Sequence, residues 1–144
     1  MRTVLMWLFL PLLGLTACEK ENRMDIQDLP AFVSDFINVH FGDQQIVRAL
    51  REYEDYQIRY KVFLKNGVRL AFNPGGEMIE IAGDQMLPDS IIPGVILSFV
   101  SERYPTAYIT GLELGNALQW AVLSNSLKLE FDRKGSFIRI VSAD

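Results

Sequence analysis

Cysteine and histidine are almost missing: 144 residues hold one of each. A single sulfur closes no disulfide framework within the chain, and no Cys/His zinc site can be assembled. A Ser-His-Asp or Cys-His catalytic group would rest on His40 alone, and the serines lack the G-x-S-x-G context of a nucleophile elbow. Positive charge is also scarce. The 14 Lys and Arg against 18 Asp and Glu leave a formal charge of −4, without the basic face of a nucleic-acid binder. Gly75-Gly76 is a turn and not a phosphate cradle, because no helix and no lysine follow in P-loop spacing. Long apolar runs are absent too. Val4 to Leu15 covers about 12 residues and contains Pro11, where a bilayer core requires roughly 20.

What stands at the start is the layout of a secretory signal: Arg2, the apolar run, then small residues ending at Cys18. Leu15-Thr16-Ala17-Cys18 resembles a bacterial lipobox, in which cleavage precedes the cysteine. Residues 1–17 are therefore expected to be a lipoprotein signal peptide, with Cys18 the first mature residue and lipidated on its sulfur. Each buried methylene contributes ~0.8 kcal/mol, and one chain anchors only marginally. The two or three chains of bacterial lipoproteins would hold firmly. Loss of Arg2 leaves 13 bases against 18 acids. Glu19–Arg23 is polar with no apolar partner, and Glu19–Gln27 reads as a flexible tether, so residues 18–28 are the lipidated cysteine and its tether. The expected location is the bacterial cell envelope, as an outer-membrane lipoprotein facing the periplasm or the surface, with the membrane engaged through the anchor.

The remainder, residues 29–144, is a duplicated unit. Pro30-x-Phe32-Val33-x-x-Phe36-Ile37 recurs downstream as Pro93-x-Val95-Ile96-x-x-Phe99-Val100, and Phe41 and Ile46 match Tyr104 and Ile109 at the same offset. Leu70-x-Phe72, Gly76, Ile79 and Ile81 recur at a slightly shorter offset as Leu129-x-Phe131, Gly135, Ile138 and Ile140. An ordered set of matches with one four-residue indel argues for duplication. Repeat one spans 29–82 and repeat two 87–142. The indel predicts a longer turn around Glu52–Asp55.

Each unit opens with a helix. Pro30 and Pro93 suit the first helical position. Phe32, Val33, Phe36, Ile37 and Phe41 line one face of a 3.6-residue period, and Val95, Ile96, Phe99, Val100 and Tyr104 repeat it. Gly42 caps the first helix and Pro105 stops the second. Four strands follow. Unit one offers Gln45–Glu52, Tyr56–Leu64, Val68–Asn73 and Glu77–Ala82. Unit two offers Tyr108–Leu114, Ala117–Ser124, Leu127–Asp132 and Phe137–Ser142. Asn66-Gly67 is the signature of a two-residue hairpin turn. The fold class is α+β in two layers: a tandem repeat of a helix plus four antiparallel strands, forming one sheet with two helices on one face. Alternation makes one sheet face oily, and nothing in the sequence is left to cover the other.

The helix opened by Leu-Pro and ended by an aromatic is followed by Tyr60-x-Val62-x-Leu64-x-Asn66-Gly67-x-x-Leu70-x-Phe72-Asn73-x-x-Gly76. This order resembles the PepSY-like family, described as beta-lactamase-inhibitor-like. The resemblance covers roughly Leu29–Ser142. It implies the same tandem two-layer fold, in secreted or envelope-anchored proteins without a settled activity. The inhibitor relatives bind an enzyme on the exposed sheet face. Two positions depart from the pattern: Ser126 stands where the family turn has glycine, and Asn73 replaces the usual aspartate that Asp132 keeps.

The chain is therefore expected to be a non-catalytic, lipid-anchored protein that binds a protein or peptide, in an inhibitory, chaperoning or scaffolding role, with no metal and no cofactor. Gln57, Arg59, Lys61, Phe63, Arg69, Met78, Lys128, Glu130, Phe137 and Arg139 are expected to point away from the helices. Arg59, Lys61, Phe63, Arg69, Met78, Lys128, Phe137 and Arg139 are the candidate partner-binding residues, since aromatics, Met and Arg are enriched at interfaces. Scattered apolar surface is the bland alternative. A small-molecule binder or weak hydrolase with a site between the repeats is the other reading, and a purely structural lipoprotein a third. His40 reads as a half-buried residue near a helix C-terminus. Glu52, Glu54 and Asp55 lack EF-hand spacing and read as a solvated loop.

Overall fold

A computed structural model describes residues 22–141; the expected signal peptide and Cys18 lie outside the described residues. Helices α1 (Ala31–Phe41) and α2 (Gly94–Arg103) cover one face of a single sheet. The sheet contains β1 (Arg23–Met24), β2 (Ile46–Glu54), β3 (Gln57–Leu64), β4 (Arg69–Phe72), β5 (Met78–Ala82), β6 (Ile109–Leu114), β7 (Leu118–Leu123), β8 (Lys128–Asp132) and β9 (Phe137–Val141). Every strand pairs antiparallel with its neighbour in sequence. All eight expected strands form within two residues of their expected limits. The ninth, β1, comes from the segment expected as a tether. Arg23 and Met24 pair with Leu50 and Ala49, and Asp25 caps a short 3₁₀ turn, Ile26–Asp28, through the Gln27 N–H.

The helices form where the apolar stripe and its punctuation put them. Pro30 and Pro93 stand at the N-cap, one position earlier than expected. Gly42 ends α1 at φ 56°, a conformation that costs glycine little. Val33 and Ile37 of α1 and Ile96 and Val100 of α2 are buried against Val62, Phe72, Leu112 and Phe131 of the sheet. Each such side chain contributes about 1.5–3 kcal/mol when fully removed from water. The two halves repeat the same contact. Phe36 meets Phe72 edge-on at 5.2 Å, and Phe99 meets Phe131 edge-on at 5.5 Å.

The duplication extends to irregularities. Register shifts fall between Ile46 and Arg48 and, at the equivalent place in the second repeat, between Ile109 and Gly111; the other pair falls at Ala71/Phe72 and Glu130/Phe131. The four-residue indel does not lengthen a turn. It lengthens the β2–β3 hairpin, which continues through Glu52↔Arg59, Tyr53↔Ile58 and Glu54↔Gln57. The hairpin closes in a tight two-residue turn, with Asp55 at φ 50° and Tyr56 at φ 63°. Asn66-Gly67 also differs from expectation. The loop has three residues, with Leu64 N–H bonded to the Val68 carbonyl and Gly67 N–H to the Leu64 carbonyl. Gly67 takes φ 89° there. This is a type I turn followed by a glycine bulge. In the second repeat Ser126 occupies the same place at φ 67°.

Candidate functional site

The sheet face away from the helices is built by the strand period of two. On β3, Tyr60, Val62 and Leu64 join the core, so Arg59, Lys61 and Phe63 stand on the opposite face. The registers align two transverse rows across this face. One runs Arg48, Phe63, Arg69, Ala82, Gly111, Val122, Lys128, Val141. The other runs Leu50, Lys61, Ala71, Glu80, Glu113, Trp120, Glu130, Arg139. Small residues, Ala71, Ala82 and Gly111, occupy the centre where the repeats meet. Aromatic and cationic side chains flank them.

Ion pairs knit the rows together. Arg59 Nη1 lies 3.1 Å from Glu54 and Lys61 Nζ 2.6 Å from Glu52. The three acids expected to crowd one turn are thus on a hairpin, two of them matched to cations. Lys128 Nζ is 2.8 Å from Glu113 Oε1 and 5.6 Å from the Trp120 ring centre. That pairing offsets the direct opposition of Glu80 and Glu113 across the seam between repeats. Arg48 stacks over Phe63 at 4.6 Å.

Glu130 is the deepest charge, with 6% of its surface exposed. It accepts from Trp120 Nε1 at 3.0 Å and from Arg139 Nε at 3.1 Å. These donors, Arg139 first and Trp120 second, hold its carboxyl below the usual carboxylate range. Two shallow clefts open on the face. One, about 300 Å³, is lined by residues including Arg48, Lys61, Phe63, Arg69 and Glu80. The other, about 260 Å³, is lined by residues including Gln57, Arg59, Glu80, Glu113 and Trp120.

Of the expected face residues, Gln57, Arg59, Lys61, Phe63, Arg69, Lys128, Glu130 and Arg139 are on this face. Met78 and Phe137 are not. Met78 is buried in the core beneath α1 and α2, and Phe137 stacks on Phe99 of α2 at 4.8 Å. The cause is the pair of bulges at Ala71/Phe72 and Glu130/Phe131, since one extra residue flips the side-chain alternation beyond it. Trp120 was missed by sequence reasoning, although it is the second-repeat counterpart of Lys61 and the duplication alone places it on this face. His40 lies at the end of α1, against Phe36 at 4.4 Å, with Nδ1 2.9 Å from Ser90 Oγ. It lines neither cleft. Among the described residues, no group of three or more His, Cys, Asp or Glu side chains is placed to hold a metal ion.

No curated protein matches the sequence. Several solved structures share the fold. A protein of Bacteroides thetaiotaomicron, described as a putative calcium-regulated periplasmic protein, superposes with a TM-score of 0.78 at 28% identity, over 84% of this chain and 96% of its own. A DUF2874-family protein of Bacteroides vulgatus, described as a putative periplasmic protein, gives 0.79 at 25% identity, over 87% and 99%. Another from that organism, described as a putative periplasmic protein of unknown function, gives 0.78 at 26%, over 82% and 95%. These periplasmic neighbours support an envelope location. The family model "Putative beta-lactamase-inhibitor-like, PepSY-like" matches twice, over residues 16–80 and 58–139. The tandem helix-plus-sheet unit, its repeated bulges and these two matches identify the chain as a member of the PepSY-like family.

Proposed function

We propose that this chain is a non-catalytic envelope protein, anchored by lipid at Cys18 to the outer membrane, that binds a protein or peptide on its open sheet face. The observation that supports this most directly is the composition of that face. Phe63 and Trp120 stand across a floor of small residues, ringed by Arg48, Arg59, Lys61, Arg69, Lys128 and Arg139. Trp, Tyr and Arg are the residues in which interface energy concentrates. The inhibitor-like character of the family fits the same reading.

The seam cleft of about 260 Å³ favours a second reading, a small-molecule site between the repeats. A neighbouring cavity of about 420 Å³ also spans the repeats, between Asn73 and Glu77 on one side and Leu114 and Arg133 on the other; the protein-binding reading is preferred on the aromatic and cationic make-up of the face. The test is cross-linking of the anchored protein in its native envelope, with Phe63→Asp and Arg59→Glu beside wild type. A partner captured by wild type and lost by variants whose Tm stays within a few degrees of it supports the proposal; identical capture by all three sinks it. Metabolic labelling with a fatty-acid analogue tests the anchor separately. Wild type takes up label and Cys18→Ala does not; an unlabelled wild type refutes the anchor.

A further inference from the structure

Among the described residues, strand β9 ends the sheet on the side opposite β1. Its counterpart in the first repeat is β5, with Met78, Ile79, Ile81 and Ala82 corresponding to Phe137, Ile138, Ile140 and Val141. The outer edge of β5 is taken by β6: Glu80 faces Glu113, Ile81 faces Leu112, and Ala82 faces Gly111. Ile81 is 1% exposed and Ile140 is 50% exposed. Ile81 belongs to the core cluster, and Ile140 lies outside it. Natural edges carry lysine, proline or inward charge to prevent pairing. β9, reading Phe-Ile-Arg-Ile-Val, has no lysine and no proline, and its bulge lies at its first residues, opposite Glu130 and Phe131. Its single charge, Arg139, pairs with Glu130 of β8.

We infer that the β9 edge is a strand-acceptor site for an extended segment of another protein, docked by main-chain pairing, apart from the open face. The β5–β6 register, carried over to β9, defines the guest. It presents an acidic residue opposite Arg139, whose side chain is 67% exposed, a bulky apolar residue opposite Ile140, and a small residue opposite Val141. Main-chain bonds give such a site affinity and alternate side chains give it selectivity. A second copy fits less well. β9 paired antiparallel on itself along its whole length sets Arg139 against Arg139, and like charges directly opposite destabilise. The other edge, β1, offers two residues.

The test uses the intact protein and a synthetic peptide of residues 108–115, the occupant of the equivalent edge. Backbone amide NMR is expected to show shifts and slowed exchange at Phe137–Val141. Ile140→Lys, at a half-exposed position that leaves the fold intact by thermal melt, is expected to weaken binding at least about tenfold. A peptide carrying Leu112→Lys should fail likewise. No binding, shifts confined to the open face, or β9 shifts that follow protein concentration without peptide would each overturn the inference. The last of these would assign the edge to self-association.

Discussion

Trp120 donates its indole N–H to Glu130 Oε2 at 3.0 Å, while Arg139 Nε holds Oε1 of the same carboxylate at 3.1 Å. Two strands flanking β8 thus grip one nearly buried charge. Hydrogen bonds to the ionised form favour it over the neutral acid, and the folded carboxyl titrates below its ordinary 4.5. A carboxyl whose folded value is depressed stabilises fully above its unfolded value, and that stability disappears as pH falls through the lower folded value. Glu130→Gln is therefore expected to be less stable than wild type at pH 7, with the gap closing below pH 4.5. Urea unfolding across pH measures it, and a gap unchanged by pH would refute the assignment.

Ser126 occupies a left-handed backbone position at φ 67°, where the first repeat has Gly67 at φ 89°. A side chain there costs about 1 kcal/mol. Ser126→Gly should stabilise by about that amount, or roughly 4 °C in Tm. A neutral or destabilising result in thermal melts would contradict the turn geometry.

Two glycines of like conformation should respond unequally to alanine. A Cβ on Gly67 would meet open space, whereas one on Gly135 would lie 3.1 Å from Val95 Cβ. Gly67→Ala is expected to cost about 1 kcal/mol, and Gly135→Ala about 2–3 kcal/mol because crowding adds to strain. Val95→Ala in the Gly135→Ala background should restore part of the loss. Equal costs at both glycines would contradict the contact.

Phe63 and Phe137 provide a test of sidedness. Phe137 lies between Phe99 and Phe131 at 4.8 and 5.9 Å, so Phe137→Asp should cost about 2 kcal/mol or more. Phe63→Asp removes a stack with Arg48 on the open face and should cost no more than about 1 kcal/mol. Denaturation midpoints that rank the other way would reverse the assignment of faces.

The fold was largely legible because its signals are periodic and occur twice. The helix stripe from Phe32 to Phe41 and the strand alternation through Tyr60, Val62 and Leu64 each reappear downstream, and burial follows them. Met78 and Phe137 escaped because a bulge has no strong sequence mark and reverses every face assignment after it. The indel was located correctly, yet its form was not: Asp55-Tyr56 contains no glycine, and nothing local announces a tight turn with both residues at positive φ. β1 was missed because two residues make too short a run for any period to register. Trp120 shows the opposite case, a face assignment that the match between the repeats already contained.

A purely sequential meander has a kinetic corollary. Most strands close on the chain segment just before them; two wide gaps, from Met24 to Ile46 and from Ala82 to Ile109, enclose α1 and α2. Closure entropy grows only slowly with the length of chain bridged, and topologies dominated by nearby pairings assemble quickly. A polypeptide delivered from its amino end can zip the first half-module before its carboxyl end arrives. The later strands then add to a template already laid down.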